Sequence, residues 1–150
     1  MERALKTIAS LIIGALAITV VREMVGGNSH RGSATPAMDQ DTIVRLTAEK
    51  MNKMLPSTID KYTILENVTA APGVLFYNYT LTNDDKESAS SALGNPLTHK
   101  TMINKVCSTS ELRRVTLDHG TAASYRYYLT DGTFVGQLKV TNSEWRMASN

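Results

Sequence analysis

The chain has 150 residues, 42% of them hydrophobic, and its 16 basic and 14 acidic side chains give a net charge of +2 at pH 7. Four of the basic and two of the acidic residues precede residue 39, so residues 39–150 carry 12 of each sign. The length allows one domain with one core, and the neutral balance of residues 39–150 argues against a nucleic-acid partner.

An apolar segment near the N-terminus, Leu5–Val21, includes 15 consecutive uncharged residues. With Lys6 and Arg22 reaching toward lipid headgroups, it approaches the roughly 17–20 residues that a membrane helix needs. A cleaved signal peptide is one alternative, because Ala15-Leu16-Ala17 fits a cleavage site, and a buried soluble helix is another. We favour an uncleaved anchor, because Ile18-Thr19-Val20-Val21 extends the apolar run past the candidate cut.

Positive charges flanking this segment predict its orientation. Three basic groups, Arg3, Lys6 and the α-amino group, lie at its N-terminal end and two follow it, which favours a cytoplasmic N-terminus. We therefore predict a single-pass protein of the bacterial inner membrane with a periplasmic C-terminal domain. Its predicted parts are a transmembrane signal anchor (1–25), a flexible linker rich in glycine and serine (26–38) and an α+β domain (39–150).

The predicted domain begins with a helix that Asp39 or Asp41 caps and that runs to about Met54. Its apolar side chains recur at three- and four-residue spacing, and Pro56 ends it. Two strands follow, Tyr62–Thr69 and Val74–Thr82, joined by a turn that contains proline and glycine.

Side chains alternate along the second of these strands. One side is apolar and is predicted to face the core: Leu75, Tyr77, Tyr79 and Leu81. The other side is only partly polar: Val74, Phe76, Asn78 and Thr80.

The middle of the chain, Asn83–Asn95, is the most polar run and is predicted to be a loop or a weak helical turn. Asn95 and Pro96 then start a helix. It carries the single cysteine, Cys107, which we interpret as a small buried hydrophobe. A break at 108–110 and a shorter helix ending at Gly120 are expected to follow.

The clearest local pattern is a hairpin at the C-terminal end. Thr121–Leu129 and Thr133–Thr141 alternate in polarity around an Asp-Gly turn. This alternation places Phe134 on the core side and Val135, Gln137 and Lys139 on the other. A Y-x-Y-x-L pattern occurs in both predicted hairpins, which indicates either an internal repeat or pairing within one sheet.

The element order of helix, hairpin, helix and hairpin predicts a two-layer α+β fold. We expect a four-stranded antiparallel sheet with the helices on one face.

The chain resembles small, mostly uncharacterised bacterial inner-membrane and periplasmic proteins with one N-terminal apolar segment. The residues that carry the resemblance are Met51–Pro56, Phe76–Leu81, Val106-Cys107, Leu112–Arg114, Tyr125–Tyr127 and Asp131-Gly132. It implies a fold and a compartment, and a second cysteine near the last strand that could pair with Cys107. Residues 141–150 contain no cysteine, so this chain departs from the resemblance at that point.

No catalytic motif is recognisable, and we predict no catalytic residue, metal site or cofactor. Cys107 and His99 would be about 12 Å apart on one helix, too far for a thiolate–imidazole pair. Asp118-His119 fits the end of a helix better than a catalytic site, because a histidine cation there meets the negative end of the helix dipole.

A protein-binding envelope domain, with an accessory, assembly, immunity or exclusion role, is therefore the favoured function. The predicted partner-binding residues are Val74, Phe76, Asn78, Val135, Gln137 and Trp145. Phe76 is the main candidate because an outward aromatic is costly to expose. The alternative is a small-ligand site or enzyme that uses Tyr125, Tyr127 and the histidines.

Overall fold

The computed structural model describes residues 39–108 and 120–148, without the side chains of Trp145 and Ala148. The predicted anchor, the linker and the short helix expected before Gly120 lie outside these residues. Within the described ranges, no helix is both long enough and apolar enough to cross a membrane. The elements in chain order are α1 (Gln40–Asn52), β1 (Ser57–Asp60), β2 (Thr63–Ala71), β3 (Val74–Leu81), α2 (Lys86–Leu93), α3 (Pro96–Ser108), β4 (Ala122–Leu129), β5 (Phe134–Val140) and α4 (Asn142–Ala148).

The sheet has five strands in the order β1-β2-β3-β4-β5, so the prediction of a four-stranded antiparallel sheet is wrong. The neighbours β1–β2, β2–β3 and β4–β5 are antiparallel, but β3 and β4 run parallel. The chain between these two strands contains α2 and α3, and a long helical crossover of this kind lets consecutive strands run in the same direction. The α+β class of the prediction is correct.

The additional strand, β1, has only four residues, and three of them are polar. It pairs with β2, and its register is interrupted between Thr58 and Asp60. So short and irregular a strand has no clear alternation, which is why the sequence pattern did not reveal it.

The helix boundaries follow side-chain caps. The Asp39 side chain accepts a hydrogen bond from the Thr42 amide at 3.0 Å, which confirms the predicted start of α1. Asp85 caps α2 in the same way through Ser88, at 2.9 Å. The run predicted to be a loop or weak turn therefore contains a two-turn helix.

Helix α4 was not predicted, although its start has a recognisable sequence. Thr141 and Glu144 form a capping box in which the Glu144 carboxylate accepts the Thr141 amide at 2.8 Å. The Glu144 amide donates in return to the Thr141 hydroxyl at 3.4 Å. This reciprocal bonding is the expected result of a T-x-x-E sequence at a helix start.

A row of buried tyrosines forms the centre of the core, at the junction of β3 and β4. Tyr77 pairs in register with Tyr125, and Tyr79 with Tyr127. Adjacent rings are stacked, with centroids 5.1 Å apart in the first pair and 5.4 Å apart in the second. The two Y-x-Y-x-L patterns therefore pair side by side in one sheet, and we call these four side chains the tyrosine row.

Helices α1, α2 and α3 cover the tyrosine row. The buried residues that they contribute to the core are Val44, Ala48, Met51, Ala89, Ala92, Leu93, Met102 and Val106. α2 packs tightly on the sheet at Gly136, where an added Cβ would lie 3.1 Å from the Leu93 Cδ1 atom. Helices α1, α2 and α3 thus pack on the face that carries the tyrosines.

Candidate functional site

The candidate site is the opposite face of the sheet, which we call the open face. Strand pairing places these outward residues side by side across β2 to β5: Asn67, Thr69, Val74, Phe76, Asn78, Thr80, Ser124, Arg126, Tyr128, Phe134, Gln137 and Lys139. Most are half-buried or exposed, whereas the alternate residues of β3 are buried. Val74, Phe76, Asn78 and Gln137 thus lie on one surface, as predicted from alternation.

Phe76 and Arg126 form the centre of this surface. The guanidinium carbon of Arg126 lies 3.6 Å from the centroid of the Phe76 ring. Both side chains are half-buried, because each covers part of the other. The cation–π contact therefore explains how a large aromatic side chain is accommodated on a face without helices.

The guanidinium of Arg126 keeps its hydrogen-bonding capacity. Within the described residues it forms no ion pair and no side-chain hydrogen bond, so its N–H donors are available. The contact holds the guanidinium over the Phe76 ring. An arginine held in this way is suited to binding carboxylates or other planar acceptors.

Next to Arg126 is a polar cavity of about 450 Å³, with walls formed by β2, β3, β4 and the turn after β4. Asn78 faces Arg126 in register and donates from its side-chain amide to the Asn67 Oδ1 atom at 2.7 Å. The Asn67 amide nitrogen has no acceptor among the residues described. The cavity therefore offers a second donor group near the guanidinium.

The turn end of the open face is aromatic. Tyr128 and Phe134 pack at a centroid distance of 5.4 Å, and 48% of the Phe134 surface is exposed. Phe134 was predicted to face the core and Val135 the outside, and both predictions are wrong. A β-bulge adds Val135 between Phe134 and Gly136, so that the alternation reverses and Val135 packs against the core instead.

The edges of the sheet are less accessible than its open face. Ser90 donates from its hydroxyl to the Val135 carbonyl at 3.3 Å, and the His99 Nε2 atom lies 3.2 Å from the Lys139 carbonyl. A carbonyl can only accept, so Nε2 of His99 carries the proton of that hydrogen bond. Helix side chains thus occupy carbonyls of edge strand β5, and the other edge, β1, is short.

The predicted alternative site, based on Tyr125 and Tyr127, is not open. Both side chains are fully buried, and burial raises the pKa of each phenol. Their hydroxyls have no hydrogen-bond partner among the described residues. These rings fill the core, so they do not line a ligand pocket.

The remaining sequence candidates lie apart from the open face. Cys107 is half-buried and packs against the core, on the same continuous helix as His99. Asp118-His119 lies outside the described residues, as does the side chain of Trp145. No group of three potential metal ligands occurs within 39–108 and 120–148.

Alternation alone could not identify Arg126. The sequence places Arg126 on the outward side of β4. Its contact with Phe76 is possible only because β3 and β4 are neighbours in the sheet, and the predicted topology did not specify that these two strands pair.

No protein-family model matches the chain, and no curated protein matches it by sequence. Solved structures do share its fold. One is a protein of Pseudomonas aeruginosa described as secreted, 17% identical, with a TM-score of 0.59 over 73% of this chain and 99% of that one.

Two further structures are pilotins of type II secretion systems. The Vibrio vulnificus pilotin is 13% identical, with a TM-score of 0.54 over 71% of this chain and 91% of its own. The Vibrio cholerae pilotin is 15% identical, with a TM-score of 0.53 over 70% of this chain and 91% of its own. At these identities the likeness is one of fold, and this chain has the same α+β framework as these bacterial proteins.

Proposed function

We propose that the domain is a non-enzymatic accessory protein of the bacterial envelope, located in the periplasm, that binds a protein partner through its open face. The observation that carries the proposal is the Phe76–Arg126 pair, an aromatic ring and a guanidinium stacked at 3.6 Å on a face that the described helices leave uncovered. Aromatic and arginine side chains are the residues that most often dominate binding energy in protein interfaces.

The surroundings of this pair support a protein partner rather than a small molecule. Polar groups flank it, with Asn78 on β3 and Gln137 on β5, and exposed aromatic surface lies at Phe134. An anchor surrounded by polar side chains is the usual composition of a protein interface. A stable complex would bury about 800 Å² on each partner, which is more than one cavity provides.

The face is a better candidate than an edge strand. A partner that added a strand at β5 would compete with Ser90 and His99 for the Val135 and Lys139 carbonyls. A partner on the open face displaces no hydrogen bond that these helices make.

The structural neighbours favour an accessory role in secretion or assembly over immunity or exclusion. Two of them are pilotins of type II secretion systems, and the third is described as secreted. A shared fold does not itself establish a shared function, so the role must be tested at the site.

The test is site-specific photo-crosslinking in living bacteria, with the reactive residue at Gln137 on the open face. Leu97, which is 65% exposed at the start of α3, is the matched control position. We expect Gln137 to crosslink to one envelope protein, and Leu97 to give no such product.

Phe76→Ser should abolish the crosslink from Gln137, while Leu97→Ser should leave it unchanged. Circular dichroism must show that both variants remain folded. Equal crosslinking from the two positions, or a product that persists in folded Phe76→Ser, would exclude the open face as the binding surface.

A further inference from the structure

We infer that Arg126 binds a carboxylate side chain of an extended polypeptide segment that occupies the cavity between β2 and β4. This inference rests on the proposed function and specifies the chemistry of the partner at its centre. The occupant is thus a protein segment with an acidic residue.

The guanidinium of Arg126 is held in place but has no anionic partner among the described residues. Arg126 is half-buried on the face and stacked on Phe76, yet no carboxylate of the described chain is bonded to it. The Phe76 ring immobilises the guanidinium before any ligand arrives. A carboxylate can then accept two parallel N–H bonds with little further loss of side-chain freedom.

The wall of the cavity is largely polar. Besides Arg126, its polar lining includes Asn67, Thr69, Thr80 and Tyr128. These side chains can donate to, and accept from, a peptide backbone as well as a carboxylate. Lys139 is exposed on the same face but outside the cavity lining, where it pairs with Ser124, two residues from Arg126 along β4.

One acidic residue, Glu66, also lines the cavity. It is the additional residue of a bulge in β2, and no ion pair among the described residues includes it. Because β3 lies between β2 and β4, Glu66 and Arg126 are on strands about 10 Å apart. The cavity is therefore positive on one side and negative on the other, and it favours a single well-placed carboxylate over a cluster of acidic groups.

Two peptides that differ in one group test this inference on the purified full-length chain. They are acetyl-Thr-Val-Glu-Val-Thr-amide and the same peptide with glutamine in place of glutamate, each titrated while the side-chain N–H signal of Arg126 is followed by NMR. We expect the glutamate peptide to shift that signal and to bind at least about tenfold more tightly, because charge-assisted bonds are the stronger ones.

Matched variants assign the effect to the cavity. Arg126→Lys, which keeps the charge but loses the two-pronged geometry, should reduce the preference for glutamate about tenfold. Glu66→Gln should tighten binding of the glutamate peptide about two- to fivefold, because it removes a repelling charge. Lys100→Gln, an exposed cation on α3 away from the face, should change nothing.

Equal affinity for both peptides, or no saturable binding of either, would overturn the inference. Inorganic phosphate that binds Arg126 more tightly than the glutamate peptide would overturn the choice of a carboxylate. These results are independent of the crosslinking experiment. If Gln137 crosslinks to a partner but the two peptides bind equally well, only the role of Arg126 is refuted. If the glutamate peptide is preferred but no partner is crosslinked, only the proposed function is refuted.

Discussion

Tyr125 and Tyr127 combine two opposing contributions to stability. Their rings stack within the tyrosine row, which favours the folded state, but their hydroxyls are buried without a partner among the described residues. A buried hydroxyl that loses water and gains no hydrogen bond opposes folding. The ring and the hydroxyl of the same residue should therefore respond in opposite directions to substitution.

Tyr125→Phe and Tyr127→Phe should leave the free energy of unfolding unchanged or raise it by about 1 kcal/mol, because each removes only the unpaired hydroxyl. Tyr125→Ala should lower it by about 3–5 kcal/mol, because the ring is lost and a cavity remains. Urea unfolding measures both effects. A loss of more than about 1 kcal/mol in the phenylalanine variants would show that the hydroxyls are hydrogen-bonded after all.

At the scale of elements, three aspartate side chains accept backbone hydrogen bonds at two helix starts and one turn. Hydrogen bonds from the Thr42 hydroxyl and amide lower the pKa of Asp39, and bonds from the Ser88 amide and hydroxyl lower that of Asp85. The pKa of Asp131 is lowered by the Thr133 amide. Each carboxylate therefore stabilises its cap or turn most when it is ionised.

The sign of the pH effect follows from these lowered pKa values. Their contribution to stability is complete above the ordinary aspartate pKa of about 3.9, and it disappears as the pH falls through the lower folded-state values. Asparagine can cap a helix but does not titrate. The triple variant Asp39→Asn, Asp85→Asn, Asp131→Asn should thus lose less stability than the natural chain between pH 5 and pH 2, measured as thermal midpoints. Parallel curves for the two proteins would contradict this prediction.

The packing of α2 on the sheet depends on a residue without a side chain. Gly136→Val should lower the free energy of unfolding by about 1–3 kcal/mol, because the new side chain meets Leu93. Combining it with Leu93→Val should cost less than the sum of the two single changes, since the smaller residue makes room. Additive losses in urea unfolding would show that α2 does not rest on this strand.

At the scale of the whole molecule, the parallel pair β3–β4 joins two halves into one sheet. Residues on both sides of this junction share one core, to which α1, α2 and α3 all contribute.

We predict that a chain of residues 39–150 unfolds in one cooperative transition, with a midpoint within a few degrees of that of the full-length protein. The physical reason is that the residues described after 39 already form one core cluster. Thermal unfolding followed by circular dichroism checks this. A broad or absent transition would mean that residues before 39 are needed for folding.

Local elements were predictable where a pattern was long. The cap at Asp39, strand β3 and the turn at Gly132 all follow from neighbouring residues, and Gly132 has the positive φ of 83° that such a turn requires. Strand β1 was too short, and the capping residues of α2 and α4 lay in runs without apolar periodicity. Those two helix starts, Asp85 and Thr141, could have been found from their capping sequences.

The candidate site was only partly predictable, for a reason of topology. Phe76 was identified because alternation places it outside, but its partner Arg126 lies far along the chain. Whether two distant strands are neighbours depends on the crossover between them, which local pattern does not determine. The bulge at Val135 is a further non-local effect, and it exchanged the predicted positions of Val135 and Phe134.

The tyrosine row has a spectroscopic consequence. Two of its rings belong to β3 and two to β4, and neighbouring rings from opposite strands lie 5.1–6.4 Å apart in a fixed chiral arrangement. Aromatic groups held rigidly give circular dichroism in the near ultraviolet, and this signal vanishes when tertiary packing loosens. The near-ultraviolet circular dichroism of the tyrosine row should therefore report on the packing of β3 against β4. A change in this signal at constant far-ultraviolet ellipticity would mean that the two halves separate before their helices and hairpins unfold.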